Sequence, residues 1–281
     1  MANLKEIRSR ISSISSTMKI TSAMKMVSAA KLKKAQDRMT NIKPYSLGIS
    51  TMIQNLLPSV NLSDIELVNN FCSENKVLII PITSNRGLCG GFNANILKAA
   101  RKYDQSKVEV FAIGKKSIEM FKRNKYNIVS NNTSVIEESS VSACKLISDK
   151  IINDFVAGKW SRVEVVYNKF KNTATQIIQT EQLLPIKIEN NNISTKDYIF
   201  EPNKSTIIND LIPNKIHTHF FEAILNSIAS EHGARMTAMH KATDNANELK
   251  QTLTLSYNRQ RQAAITNEIL EIVAGAEALN G

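Results

Sequence analysis

Two long segments with apolar residues spaced three and four apart lie at opposite ends of this chain, and an alternating strand and helix pattern lies between them. In the first segment, Leu4, Ile7, Ile11, Ile14 and Met18 form a heptad seam. The seam is then expected to shift to Ile20, Met24 and Val27, with Ala23, Ala29 and Ala30 allowing close approach. Pro44 is expected to kink this helix and Pro58 to end it. The last segment starts after Pro213. Its seam runs through Phe221, Leu225 and Ile228, then Met239, Ala242, Ala246, Leu249 and Leu253. That phase puts His232 and Arg235 where apolar residues belong. From Leu255 to Gln262 the seam is lost in polar residues, and Ile265, Ile269, Ile272, Ala276 and Leu279 restart it.

Such seams must pair with each other or with another protein. Antiparallel pairing is the simpler solution, because both helices are then anchored at one base. At 1.5 Å per residue the first helix is roughly 80 Å long and the second roughly 100 Å, longer than a domain of this size is wide. With both anchored at the base, the second overhangs by about ten residues, or roughly 15 Å. The stripe from Ile269 to Leu279 is then left without an intramolecular partner, which implies a surrounding protein.

The middle, 76–200, predicts strands at Val77–Thr83, Val108–Ile113, Tyr126–Ser130, Arg162–Phe170 and Ala174–Leu184. Helices are expected at Asn93–Tyr103, Lys115–Asn124 and Val141–Val156, with loops at 59–75, 130–140 and 189–197. This order implies a mostly parallel, Rossmann-like α/β sheet with one antiparallel edge. The expected fold is therefore mixed α+β and α/β. It has three parts: an N-terminal coiled-coil helix (1–58), an α/β globular domain (76–200), and a short helix followed by a C-terminal coiled-coil helix pairing with the first (203–281).

The formal charge is +11, and residues 1–43 hold ten Lys/Arg against two acids. Such a segment seeks an acidic partner: nucleic acid, anionic lipid or an acidic protein loop. No aromatic residue precedes Tyr45 to stack on bases. No run reaches the 18 or so apolar residues of a membrane span. The N-terminus lacks the pattern of a secretion signal. Cys72, Cys89 and Cys144 are too scattered for a disulfide framework or zinc site, which fits a reducing compartment.

Arg86–Gly91 follows a strand into a helix, where a phosphate cradle would sit, but lacks both glycine-rich spacings and reads as a tight turn. Gly114-Lys115-Lys116-Ser117 fails likewise, because position 109 is Glu. The four histidines have no metal-ligand spacing, and no Ser–His–Asp, Cys–His or paired-carboxylate set can be argued from spacing. We expect no active site, metal or cofactor.

Five blocks are more specific: Lys5–Ile11 with Thr17–Val27, Arg86-Gly87-Leu88-Cys89-Gly90-Gly91-Phe92-Asn93, Tyr198-Ile199-Phe200-Glu201-Pro202, Ser230–Met236, and Asn258–Ile269. In order over nearly the whole chain, they resemble the gamma-subunit family of F-type ATP synthases. The resemblance implies a non-catalytic rotor shaft inside a ring of alpha and beta subunits, with epsilon and a membrane ring of small subunits at its base. It implies a peripheral position on the cytoplasmic face of the bacterial cell membrane. Met24 and Lys25 would face the acidic lever loop of beta. Arg235, Arg261, Gln262 and Thr266 would engage the surrounding loops, and Ile269 and Ile272 would lie in the collar. Gly233 stands where the family more often has Ala, and the cysteine-pair insert of chloroplast versions is absent. The rivals are a nucleic-acid-binding coiled coil and a stand-alone α/β enzyme using the 86–91 loop.

Overall fold

A computed structural model describes residues 2–56, 66–68, 72, 75–186, 201 and 203–280. The expected stop at Leu57 and Pro58, most of the 59–75 loop, the 189–197 loop, most of the Tyr198–Pro202 block and the side chain of Leu279 lie outside these residues.

Helix α1 (Ala2–Leu56) continues on both sides of Pro44. Strands β1 (Val77–Pro81), β2 (Val108–Ile113), β3 (Asn127–Asn132), β4 (Arg162–Phe170) and β5 (Gln176–Leu184) form one sheet in the order β3-β2-β1-β4-β5. The first four strands are parallel and β5 joins β4 antiparallel. Between the strands lie α2 (Phe92–Ala100), α3 (Lys115–Arg123), α4 (Val135–Glu138) and α5 (Val141–Val156), and α6 (Lys204–Asn280) completes the chain.

The sheet is covered on both faces because alternate residues of β1 serve different cores. Leu78 and Ile80 pack with α5, with α1 at Leu32 and Ala35, and with α6 from Ile208 to Ala229. Ile79 packs with Ile96, Ala100 and Phe121 of α2 and α3. Gly114 makes the turn from β2 into α3 at φ +90°, and a Cβ there would meet the Thr83 carbonyl oxygen at 2.3 Å. It is a turn glycine.

Several expected boundaries move. The end of α2 tightens as the Lys102 and Tyr103 amides donate to Ala99 and Ala100, so the helix stops before Tyr103. β5 starts at Gln176, because the Asn172 side chain accepts from the Ala174 and Thr175 amides and holds them in a turn. The expected loop 130–140 contains the end of β3 and α4, which starts where the Asn132 side chain accepts from the Val135 amide. Pro213 lies inside α6 and does not start it. Ile208, Ile212, Ile216 and Phe220, one turn apart, are all buried in one core. Burial of that stripe outweighs the one backbone hydrogen bond a proline removes.

The seam of α1 does not shift either. Leu4, Ile7, Ile11, Ile14, Met18, Thr21, Lys25, Ser28, Leu32, Ala35, Met39 and Ile42 are buried or half-buried in one unbroken heptad. Ile20 and Val27 are 60% and 56% exposed, and Ala23 and Ala30 are exposed too. A search for apolar residues alone leaves the true stripe where it turns polar at Thr21.

Residues 1–27 and 236–281 form one compact unit and 28–235 another, so the boundary falls inside both long helices. In the first unit the helices pair as an antiparallel coiled coil, with the Thr21 and Thr243 hydroxyls 2.8 Å apart across the seam. The α6 stripe runs through Met239, Thr243, Ala246, Lys250, Leu253, Tyr257, Gln260 and Ala264, all buried or half-buried. The expected loss of the seam at 255–262 is therefore a polar continuation, and Leu249 is exposed beside the stripe. Taking the threonine pair as the register, Ala2 falls opposite residue 262, leaving roughly 18 residues, or about 27 Å, of overhang. The expected ten was too few, because it aligned the helices at their proline ends.

Within the second unit Gly233 has a packing reason. A Cβ there would lie 3.2 Å from the Phe170 ring, so glycine lets α6 approach the β4–β5 hairpin.

Candidate functional site

The overhanging end of α6 is bare. Every described side chain from Ile265 onward is exposed, including Ile269, Leu270, Ile272 and Val273, with Ile272 71% exposed. Large apolar side chains on consecutive turns without intramolecular cover mark an association surface. Arg261, Gln262 and Thr266 are exposed just before it, and the Thr266 hydroxyl donates to the Gln262 carbonyl, one turn back. On α1, Lys25 is half-buried in the seam and Met24 half-buried beside it. Near them Ile20, Met26 and Val27 are exposed as well.

Arg235 is in a different setting, buried in the second unit. Its Nη1 lies 2.7 Å from Glu231 Oε1, one turn earlier, and 3.3 Å from His232 Nδ1. Its Nη2 donates to the Arg86 and Gly87 carbonyls at 3.1 and 3.3 Å, and Nε donates to Gly87 at 3.3 Å. A guanidinium has five N–H donors. All five have partners in this chain.

The carbonyls belong to the glycine-rich loop, so its oxygens face a cation where a phosphate cradle would present N–H groups. The loop is held from its other side by the Ser84 hydroxyl, which donates to the Arg86 carbonyl at 2.6 Å. Asn93 ties Ser84 to Cys89: its Oδ1 accepts from the Ser84 amide, and its Nδ2 lies 3.3 Å from the Cys89 sulfur. Burial pushes the Cys89 thiol above its ordinary value. Helix α6 docks across the carboxyl ends of two strands here, with Ser227 donating to Ile82 and Ser230 to Asn168. Open α/β sheets commonly bind ligands beyond those strand ends. In this protein its own helix fills the place.

Burial, with Arg235 and Lys31 adding to it, holds the His232 imidazole down at about 4, so it is neutral and can accept from Arg235. A histidine whose pKa is lower folded than unfolded stabilises the fold fully above the unfolded value near 6.5. That contribution is lost as pH falls through 4. Urea unfolding from pH 7 to pH 4 should show a loss of up to about 3 kcal/mol that His232→Gln lacks.

A group missed by spacing also comes together. His217 Nδ1 lies 2.6 Å from the Ser148 hydroxyl and its Nε2 3.1 Å from Asp149. Ser148 is fully buried and bonded to the Cys144 and Lys145 carbonyls, so its hydroxyl cannot reach a substrate. The trio joins α5 to α6. His217 stands 69 residues from Ser148 along the chain, so spacing does not join them. Among the described residues no group of three or more His, Cys, Asp or Glu is placed to hold a metal ion.

A family model described as ATP synthase matches residues 3–279. The ATP synthase gamma chain of Flavobacterium psychrophilum is 52% identical over the full length of both chains, and that of Geobacter metallireducens is 42% identical over the same span. Among solved structures, a chain of the Euglena gracilis mitochondrial ATP synthase F1/c-ring assembly aligns with a TM-score of 0.71 at 18% identity, covering 99% of this chain and 95% of that one. A chain of the Tetrahymena thermophila central stalk and c-ring gives 0.60 at 24%, covering 79% and 99%. At these identities the structural likeness concerns the fold.

Proposed function

This chain belongs to the ATP synthase gamma-chain family, and from that premise we propose that it is a shaft that transmits rotation to catalytic sites on other subunits. It is the central-stalk subunit of an ATP synthase and not its catalytic subunit. The observation that carries the reading is the uncovered apolar stripe on α6 beyond the coiled coil. In a chain of this family, a collar of other subunits is what would cover it.

In this reading the terminal helices (1–58 and 203–281) are the shaft and the α/β domain (76–200) is the base. A pair of unlike helices has no threefold symmetry, so three identical beta subunits around it would meet three different surfaces. Turning the pair would exchange those surfaces among the sites. A contact shifts a site only as far as its energy differs between open and closed states. Charged and polar contacts at Lys25, Arg261, Gln262 and Thr266, with Met24 beside them, suit that grip. Ile269 and Ile272 suit a bearing, since apolar contact is non-directional. Alpha and beta subunits, epsilon and the membrane ring are the partners, and the seat is the cytoplasmic face of the bacterial cell membrane. No helix among the described residues is long and apolar enough to cross that membrane.

Adding the purified chain to alpha and beta subunits should raise their ATPase rate by at least about tenfold, a barrier change near 1.4 kcal/mol. The chain alone should neither turn over ATP nor bind duplex nucleic acid. Full ATPase activity of an alpha–beta ring without this chain would overturn the reading.

A further inference from the structure

We infer that Arg235 is a positioning residue, which serves coupling by holding the Arg86–Cys89 loop in shape and not by touching another subunit itself. The inference rests on the shaft reading above, within which it gives Arg235 a different manner of action from the exposed residues.

Three observations carry it. All five guanidinium N–H groups are engaged within the chain, and the residue is 7% exposed. Nothing remains to donate outward. The loop it holds contains Leu88, a non-glycine residue at φ +62°. That left-handed conformation is unfavourable for a residue with a Cβ and persists only when the surroundings impose it. Leu88 is also 63% exposed, so no core burial offsets the unfavourable backbone. A large apolar side chain held outward by its fold is placed for a contact beyond this chain.

The holding groups form a clamp with two jaws. Arg235 is one, gripping the Arg86 and Gly87 carbonyls at once. Ser84 with Asn93 is the other, gripping the Arg86 carbonyl and the Cys89 sulfur. Two adjacent carbonyls need a forked donor, which lysine does not supply. Glu231, 2.7 Å from Nη1, aims the buried fork.

The clamp can be read without activity through the Cys89 thiol, which is 2% exposed and becomes accessible when the loop opens. In a chain carrying Cys72→Ser and Cys144→Ala, both Arg235→Lys and Ser84→Ala should raise the alkylation rate of Cys89 by about tenfold, as expected when a hydrogen bond to a charged or buried group is lost. In the complex with alpha and beta, both variants should lower ATPase turnover in parallel with that rate and leave KM for ATP unchanged. Ser84→Ala is decisive, since it leaves Arg235 intact and needs no charge removed from the interior. Loss of turnover in Arg235→Lys with slow Cys89 alkylation would show direct contact and overturn the inference. So would fast alkylation in both variants with full turnover. If the unsubstituted chain fails to stimulate the alpha–beta mixture, the shaft reading fails, while alkylation of the isolated chain still tests the clamp.

Discussion

Replacing Glu231 with Met should destabilise the protein by about 3–5 kcal/mol, the cost of leaving a buried charge without its counter-ion. Glu231 and Arg235 are each 7% exposed and their charged atoms are 2.7 Å apart. Burial pushes the Glu231 carboxyl up and the guanidinium of Arg235 counters it, so each charge depends on the other. Without the carboxylate, Arg235 keeps only two carbonyls and a neutral imidazole as partners. The double variant Glu231→Met/Arg235→Met removes both charges and should recover most of the loss, because a buried pair replaced by apolar residues of similar volume is often close to neutral. Urea unfolding of the three variants measures this coupling. A loss below about 1 kcal/mol for the single variant, the range of exposed pairs, would show that water reaches the site.

Placing Asp at both Ile269 and Ile272 should weaken association with the alpha–beta ring by roughly a hundredfold or more while leaving the isolated chain as stable as before. Burying one isoleucine side chain contributes about 1.5–3 kcal/mol, so losing two removes about 3–6 kcal/mol of association energy. Both side chains are exposed in the free chain, and neither contributes to its core. Titration of the ring with labelled chain measures the first effect and thermal unfolding the second. An unchanged affinity would show that the stripe stays uncovered in the assembly. Lost stability with unchanged affinity would mean that the stripe packs within this chain.

The sheet was legible because β1 is a continuous apolar run, while β2 and β4 are rich in β-branched and aromatic residues between turn residues. β2, β4 and α5 have the expected bounds to the residue. What the pattern concealed was polar residues doing the work of apolar ones. Thr21, Ser28, Thr243 and Lys250 lie in the heptad seam, and a hydrophobic reading skips them for the exposed Ile20, Val27 and Leu249. The helix through Pro213 was hidden because tertiary burial overrides a local breaker. The surroundings of Arg235 were beyond reach for another reason. Its misfit in an apolar register is visible from spacing, but the carbonyl of Arg86 is 149 residues away along the chain. Only the fold joins them.

An unbroken seven-residue repeat looks the same to its partner after a slide of one period. Apolar contacts alone would therefore leave two paired helices free to jump lengthwise under load. The hydroxyl pair of Thr21 and Thr243 removes that degeneracy. A jump of one heptad would set Thr21 opposite Met236 or Lys250 and separate the two hydroxyls. A polar residue in a seam selects one alignment among several at a small cost in stability. A mechanical part that must keep its two strands from creeping past each other has such a peg in the Thr21–Thr243 pair.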